Sequence, residues 1–245
     1  MPIEEPGTPQ EERTSVEAAI RAGRATFMGL ELRVGAGALV PRAETELLAR
    51  AALAELAGGS CARVIDMCCG TGNLACAIAH RAAGARVWAS DLTGPCVDLA
   101  RANAAALGLE DRVSVHQGDL FASLDSLGLE GTVDVVVCNP PYISEKRLLE
   151  ERGDLLLLEP REAFAAGAYG LSIHQRVIRE ALRYLRPGGI LLVEIGAGQQ
   201  KQVEMLYARA REYEDVRAIR DAAGEPRVIG GRRRAPPAQP HGESI

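Results

Sequence analysis

Val133-Asp134-Val135-Val136-Val137-Cys138 is an apolar, β-branched run that stops at Asn139-Pro140-Pro141-Tyr142. A run of that composition suits a strand covered on both faces in a parallel sheet. The prolines end it, because neither donates to a ladder and each disfavours the helical region for the residue before it. A buried strand therefore carries a carboxamide, Asn139, and a phenol, Tyr142, to its own carboxyl end. That is the edge at which open α/β sheets bind ligands. Asn139 offers an acceptor oxygen and an NH2 donor, and the Pro140 carbonyl is a second acceptor beside it. Two acceptors on a rigid turn suit a planar N–H group, with Tyr142 as an aromatic cover.

Around this strand the pattern alternates between strand and helix. Strands are expected over 63–67, 85–89 and 113–116, each followed by a turn and, after the first two, by a helix reaching His80 and Leu107. Beyond the opening run, Ile173, Val177, Ile178, Ala181 and Leu182 recur at helical spacing in a helix over 171–185. Pro187-Gly188-Gly189 reads as a turn into a strand over 190–195, followed by a helix over 199–211. Segments 216–220 and 227–229 are close enough to pair as a terminal antiparallel ribbon. The alternation predicts an α/β, doubly wound, Rossmann-like sheet. Upstream, residues 1–14 read as loose and 16–22 as a short helix. Segments 26–34 and 38–40 read as a hairpin about Gly35 and Gly37. A helix opening at Pro41 runs to Leu56, with Glu44 and Glu46 as acids in its first turn. Three regions result: an extension over 1–57, a main domain over 58–231 and a disordered tail over 232–245. Segment 143–166 is the least regular and reads as a lid, with Tyr169 a further lid candidate.

Composition removes several classes. With 47% apolar and 25% charged residues, the 245-residue chain resembles an ordinary soluble protein. Its net charge of −5 gives no footprint for nucleic acid. No apolar run approaches the ~18 residues of a membrane span, and the acidic first segment is no secretory leader, so a cytoplasmic location is expected. The six cysteines lie mostly in apolar segments, as buried free thiols do. Without paired Cys-x-x-Cys spacing, no metal site is expected.

The first strand opens into Asp66-Met67-Cys68-Cys69-Gly70-Thr71-Gly72. Gly70 and Gly72 let backbone approach a ligand closely at a helix start. A third glycine and a Walker lysine are both missing, which argues against a dinucleotide or triphosphate, and so against an NAD-dependent oxidoreductase. Asp66 suits a cationic amine. Asp91, with Leu92 beside it, ends the second strand, where an acid accepts from ribose hydroxyls. Asp119-Leu120 ends the third and pairs a carboxylate with an apolar wall, as an adenine edge would need. Three acids at the ends of three successive strands favour a nucleoside ligand.

This set resembles the S-adenosylmethionine site of class I methyltransferases, and Asn139-Pro140-Pro141-Tyr142 is similar to the motif of their amino-methylating members. More narrowly, the chain resembles the release-factor glutamine N5-methyltransferase (HemK-like) family. Further matches are Phe27-Met28-Gly29, Pro41-Arg42-Ala43-Glu44-Thr45-Glu46, Glu159-Pro160-Arg161-Glu162-Ala163, Gly167 to Leu171, and Leu185-Arg186-Pro187-Gly188-Gly189. The resemblance covers roughly residues 26–231. It implies that Asp66, Cys68, Gly70 and Gly72 hold the methionine end of S-adenosylmethionine. Asp91 with Leu92 would hold the ribose, and Asp119 with Leu120 the adenine. Asn139 and the Pro140 carbonyl would hold the acceptor nitrogen, and Tyr142 would face developing positive charge. Glu44 and Glu46 would border the acceptor side.

Three departures from the family pattern bear on substrate. Cys68 stands where the family has its first turn glycine, Ala43 replaces a proline, and only about 25 residues precede Phe27. The last point favours a small-molecule or peptide amine or amide over a release factor as partner. The expected reaction is N-methyl transfer. The alternative is cyclisation of S-adenosylmethionine to azetidine-2-carboxylate, in which its own amine attacks its γ-carbon and methylthioadenosine leaves. His80, His116 and His174 are expected to have packing or surface roles, and Arg232-Arg233-Arg234 to be a solvated tail.

Overall fold

In a computed structural model, residues 9–35, 37–57, 61–141 and 171–235 are described. The alternating pattern becomes a seven-stranded sheet of order β5-β4-β3-β6-β7-β9-β8. Its members are β3 (Ala62–Met67), β4 (Ala85–Asp91), β5 (Val113–Gln117), β6 (Val133–Cys138), β7 (Leu185–Glu194), β8 (Tyr213–Arg220) and β9 (Pro226–Arg233). The first five run parallel, and β9 pairs antiparallel with both β7 and β8. The order reverses between β3 and β6, which pair as Val64 with Val135 through Met67 with Cys138. That crossover point puts the carboxyl ends of β3 and β6 side by side, where ligands enter such sheets. The doubly wound sheet and terminal ribbon expected from the sequence are therefore present.

Helices cover both faces: α2 (Glu46–Leu56), α3 (Asn73–Arg81) and α4 (Gly94–Ala106) on one, α5 (Ser172–Tyr184) and α6 (Gln200–Ala210) on the other. The two apolar layers divide along β6. Val135 and Val137 face the α2–α4 layer, while Val133, Val136 and Cys138 face the α5–α6 layer. A continuous valine run is what a strand buried on both sides requires.

Several local expectations give way. Helix α1 (Pro9–Ala22) begins well before residue 16. The hairpin joins β1 (Arg24–Phe27) to β2 (Leu30–Arg33), with Phe27 opposite Leu30, so its two-residue turn is Met28-Gly29 and not Gly35–Gly37. Both turn residues have positive φ, 48° and 78°, as a tight hairpin turn of this hand needs. A methionine is not a signal for that conformation, and tertiary bonds hold it there. Glu46 Oε1 accepts the Met28 N–H at 2.7 Å, and Arg81 donates to the Met28 carbonyl. Gly37 serves another purpose, since a Cβ there would lie 2.7 Å from the Cβ of Pro95.

Helix α2 starts at Glu46, after a turn over 43–45, and not at Pro41. Pro187-Gly188-Gly189 lies inside β7 as a bulge. Leu185 pairs with Val133 and Ile190 with Val135, and a Cβ on Gly189 would strike the Val133 carbonyl at 2.8 Å. Arg232 and Arg233 are not tail residues. They finish β9, where Arg232 bonds the Glu55 carboxylate and Arg233 the Leu185 carbonyl, and Arg234 donates to the Tyr213 carbonyl at 3.0 Å. Residues 142–170, with Tyr142, the lid segment, Glu159–Ala163 and Tyr169, lie outside the described residues.

Candidate active site

The turn between β3 and α3 forms the floor of a cleft of about 990 Å³, its open mouth included. Gly72 has φ 76°, and a Cβ there would lie 2.9 Å from the Cβ of Ala100. Only glycine lets α3 start so close to α4. Gly70, at φ 52°, has open space where a Cβ would point, which makes the turn a shallow cradle. Cys68 also has positive φ, 59°. Its half-buried thiol lies on the cleft wall. Burial pushes the Cys69 and Cys138 thiols well up, so neither is a thiolate nucleophile at neutral pH. All six cysteines are free.

Three polar side chains fix this floor from outside it. Asp91 Oδ2 accepts the Gly70 N–H at 3.0 Å, and its Oδ1 accepts from the Thr93 N–H at 3.0 Å. The Thr93 hydroxyl also donates to Oδ1, at 3.2 Å, so Oδ2 is the oxygen that keeps a lone pair for a ligand hydroxyl. Leu92 beside it is 61% exposed at the mouth of the cleft. Asp66 is completely buried, behind the wall made by Met67, Cys68 and Cys69. Its Oδ2 accepts the Ala75 N–H at 2.9 Å, while its Oδ1, like the buried Thr71 Oγ1, has no partner. Burial above all pushes the Asp66 carboxyl up to about 8; the Ala75 N–H pulls against this, and the Asp91 charge adds to it.

Asn103 on α4, 1% exposed, is the third support and was not singled out by the sequence reading. Its Nδ2 donates to the Thr71 carbonyl at 2.9 Å and the Arg33 carbonyl at 3.0 Å, and its Oδ1 accepts the Arg33 N–H at 2.7 Å. It thus acts as a short strand partner for the end of β2 while gripping the glycine turn. The chain after Arg33 then crosses α4, where the Gly37 carbonyl accepts from the Cys96 thiol at 3.3 Å, and roofs the cleft with Leu39 and Val40. A lone Asn in a helix of alanines carries no sequence signal for this task, because both of its partners are distant backbone groups.

At the other end of the cleft, Asp119 and Leu120 follow β5. Leu120 has φ 49°, and the Ser90 hydroxyl donates to its carbonyl at 3.1 Å. Asp119 receives both terminal nitrogens of Arg176 on α5, at 2.9 and 3.0 Å. Asn139 leaves β6 half-buried and faces the cleft, and its Nδ2 donates to Thr45 Oγ1 at 3.2 Å. Thr45 and Arg42 bring the 41–46 segment to the same wall. Glu46 is turned away, onto Met28 and Arg50. Of the expected site residues, Cys68, Gly70, Asp91, Leu92, Asp119, Leu120 and Asn139 line the one cleft, Asp66 and Gly72 support it, and Pro140 is buried beside it. His174 is buried on α5 with Nε2 2.9 Å from the Glu194 carbonyl, a packing role. His116 sits on β5 against Ser114, and His80 in the last turn of α3.

The family model described as a methyltransferase domain matches residues 59–232. The release factor glutamine methyltransferase of Gloeobacter violaceus is 36% identical over 207 residues, 84% of this chain and 71% of that protein. The chain belongs to the release factor glutamine methyltransferase family. The protein of the same name from Moorella thermoacetica is 35% identical over 86% of this chain and 73% of its own length. Among solved structures, the release-factor-specific protein-(glutamine-N5) methyltransferase of Alicyclobacillus acidocaldarius superposes with a TM-score of 0.50 at 28% identity, covering 80% of this chain and 95% of that one. This family member is thus an S-adenosylmethionine-dependent N-methyltransferase. The cleft fits that cofactor on its own evidence. It has an open cradle at Gly70, an orphaned hydroxyl at Thr71 on its wall, and carboxylates at Asp91 and Asp119 spaced along it. No helix among the described residues is long and apolar enough to cross a membrane.

Proposed function

We propose that this family member methylates the side-chain nitrogen of a protein glutamine, with a bacterial release factor as its substrate. The observation that carries the reading is Asn139, held at the carboxyl end of β6 in the same cleft as the glycine turn. A glutamine carboxamide is planar and carries N–H donors that match the Asn139 oxygen and the Pro140 carbonyl. Relatives of that substrate name align over more than two thirds of their length, which removes the preference for a small-molecule acceptor drawn from the short segment before Phe27.

S-adenosylmethionine supplies an electrophilic methyl group. The chain's own part is placement. The Gly70–Gly72 cradle and Thr71 receive the methionine end, and Asp66 behind them holds the start of α3 through the Ala75 N–H. Asp91 and Leu92 take the ribose, and Asp119 and Leu120 the adenine. Asn139 and Pro140 draw on the acceptor's N–H groups so that its lone pair points along the line of the breaking bond. In a displacement on a sulfonium such placement supplies much of the rate, without a strong base. The amide proton is lost to solvent once the new N–C bond makes it acidic.

The test is incubation with S-adenosylmethionine and a purified bacterial release factor, followed by mass analysis of the tryptic peptides. A methylated glutamine with matching S-adenosylhomocysteine is expected. Asn139→Ala should lower turnover by roughly a hundredfold or more, with cofactor affinity little changed. Methylthioadenosine and azetidine-2-carboxylate from the cofactor alone would overturn the reading.

A further inference from the structure

Threonine at a helix N-cap ordinarily spends its hydroxyl on the amides of the first turn. Thr45 precedes α2 and makes no such bond. It has no need to, because carbonyls of the preceding turn already take those amides: Glu46 N–H bonds Ala43, Leu47 N–H bonds Glu44, and Leu48 N–H bonds Thr45, all at 3.0–3.1 Å. The hydroxyl, on a residue only 1% exposed, is left to accept the Asn139 Nδ2 hydrogen across 94 residues of sequence. Both residues line the cleft.

We propose that Thr45 is a positioning residue for methyl transfer, clamping the Asn139 carboxamide so that its oxygen stays turned to the acceptor nitrogen. The inference rests on the assignment of Asn139 above and adds what holds it. A carboxamide rotates about its last bond at little cost. A hydrogen bond to Thr45 restrains that rotation, and in the orientation seen Nδ2 is engaged by Thr45 and Oδ1 is left as the acceptor. The restraint reaches Asn139 from the 41–46 segment, so that segment contributes to chemistry through Asn139.

The experiment uses the full chain with S-adenosylmethionine and release factor, and three variants. Thr45→Val keeps shape and burial but cannot hydrogen-bond. It should cut kcat by roughly tenfold to a hundredfold while the cofactor Kd stays within about twofold. Thr45→Ser restores the hydroxyl and should return kcat to within about threefold of wild type. In the wild-type chain the Asn139 side-chain NH2 resonance, assigned by its loss in Asn139→Ala, should exchange slowly with water, and Thr45→Val should speed it. Unchanged kcat in Thr45→Val, with Asn139→Ala inactive, overturns the clamp and leaves the assignment of Asn139 standing. Unchanged kcat in Asn139→Ala overturns both. Should Thr45→Val fail to fold, an inactive but folded Thr45→Ser, or fast exchange at Asn139 in the wild type, also overturns the clamp.

Discussion

On the cofactor wall, the restraints on the glycine turn come from nearby in the chain: Asp66 on Ala75 at a separation of 9 residues, Asp91 on Gly70 at 21, Asn103 on Thr71 at 32. On the acceptor wall, Asn139 is held by Thr45 at a separation of 94. The first wall belongs to consecutive βα units and forms with them. The second exists only once the hairpin and α2 have docked, with Glu46 holding the Met28 turn and Asn103 holding the end of β2. Substitutions on the first wall should therefore move stability and cofactor affinity together. Those on the second should move turnover alone, as expected of Asn139→Ala and Thr45→Val.

The largest effect on the cofactor wall is expected at Asp66. In the unfolded chain this acid ionises near 3.8, whereas in the folded chain burial holds it protonated up to about 8. Folding therefore takes up a proton between those values. The contribution is fully present below about pH 4 and is lost progressively as pH rises to about 8, by an upper limit of about 5 kcal/mol. Asp66→Asn removes this dependence while keeping an acceptor for Ala75. Denaturation of both proteins from pH 5 to 8 should show stability falling more steeply with pH in the wild type. Parallel curves would mean that Asp66 is ionised in the folded chain.

Gly72→Ala comes next. The added methyl meets Ala100 at 2.9 Å, and φ at 76° is unfavourable for any other residue. A loss of about 2–3 kcal/mol, with weaker cofactor binding, should appear in denaturant titration and calorimetry. Asn103→Leu is expected to cost about 2 kcal/mol, because three backbone groups lose a buried partner. It sharpens the comparison, since Asn103 serves both walls. Its cofactor Kd should rise and its kcat fall, a pattern that neither Gly72→Ala nor Thr45→Val gives by itself. A change confined to kcat would place Asn103 on the acceptor wall only.

The legible part of this protein follows from short-range rules. The valine run of β6, the strand-end acids Asp66, Asp91 and Asp119, and the glycines at 70 and 72 are each read from residues in contact with their own neighbours. Burial on two faces needs an unbroken apolar run, and a close turn needs a residue without a Cβ. The hairpin turn at Met28, the bulge at Gly189 and the strand ending at Arg233 were misread for the opposite reason. Met28 takes a positive φ because Glu46 and Arg81 hold it, and Gly189 is needed because the Val133 carbonyl lies against it.

What the sequence by itself determined is the sheet, the cofactor turn and the presence of Asn139 at a strand end. Tertiary structure alone decided that Asp66 stands behind the cleft wall, that Asn103 ties roof to floor, and that Thr45 spends its hydroxyl on Asn139. The physical reason is the same in each case. A buried hydrogen-bonding group takes whichever partner packing brings within about 3 Å, and spacing along the chain does not say which one that is.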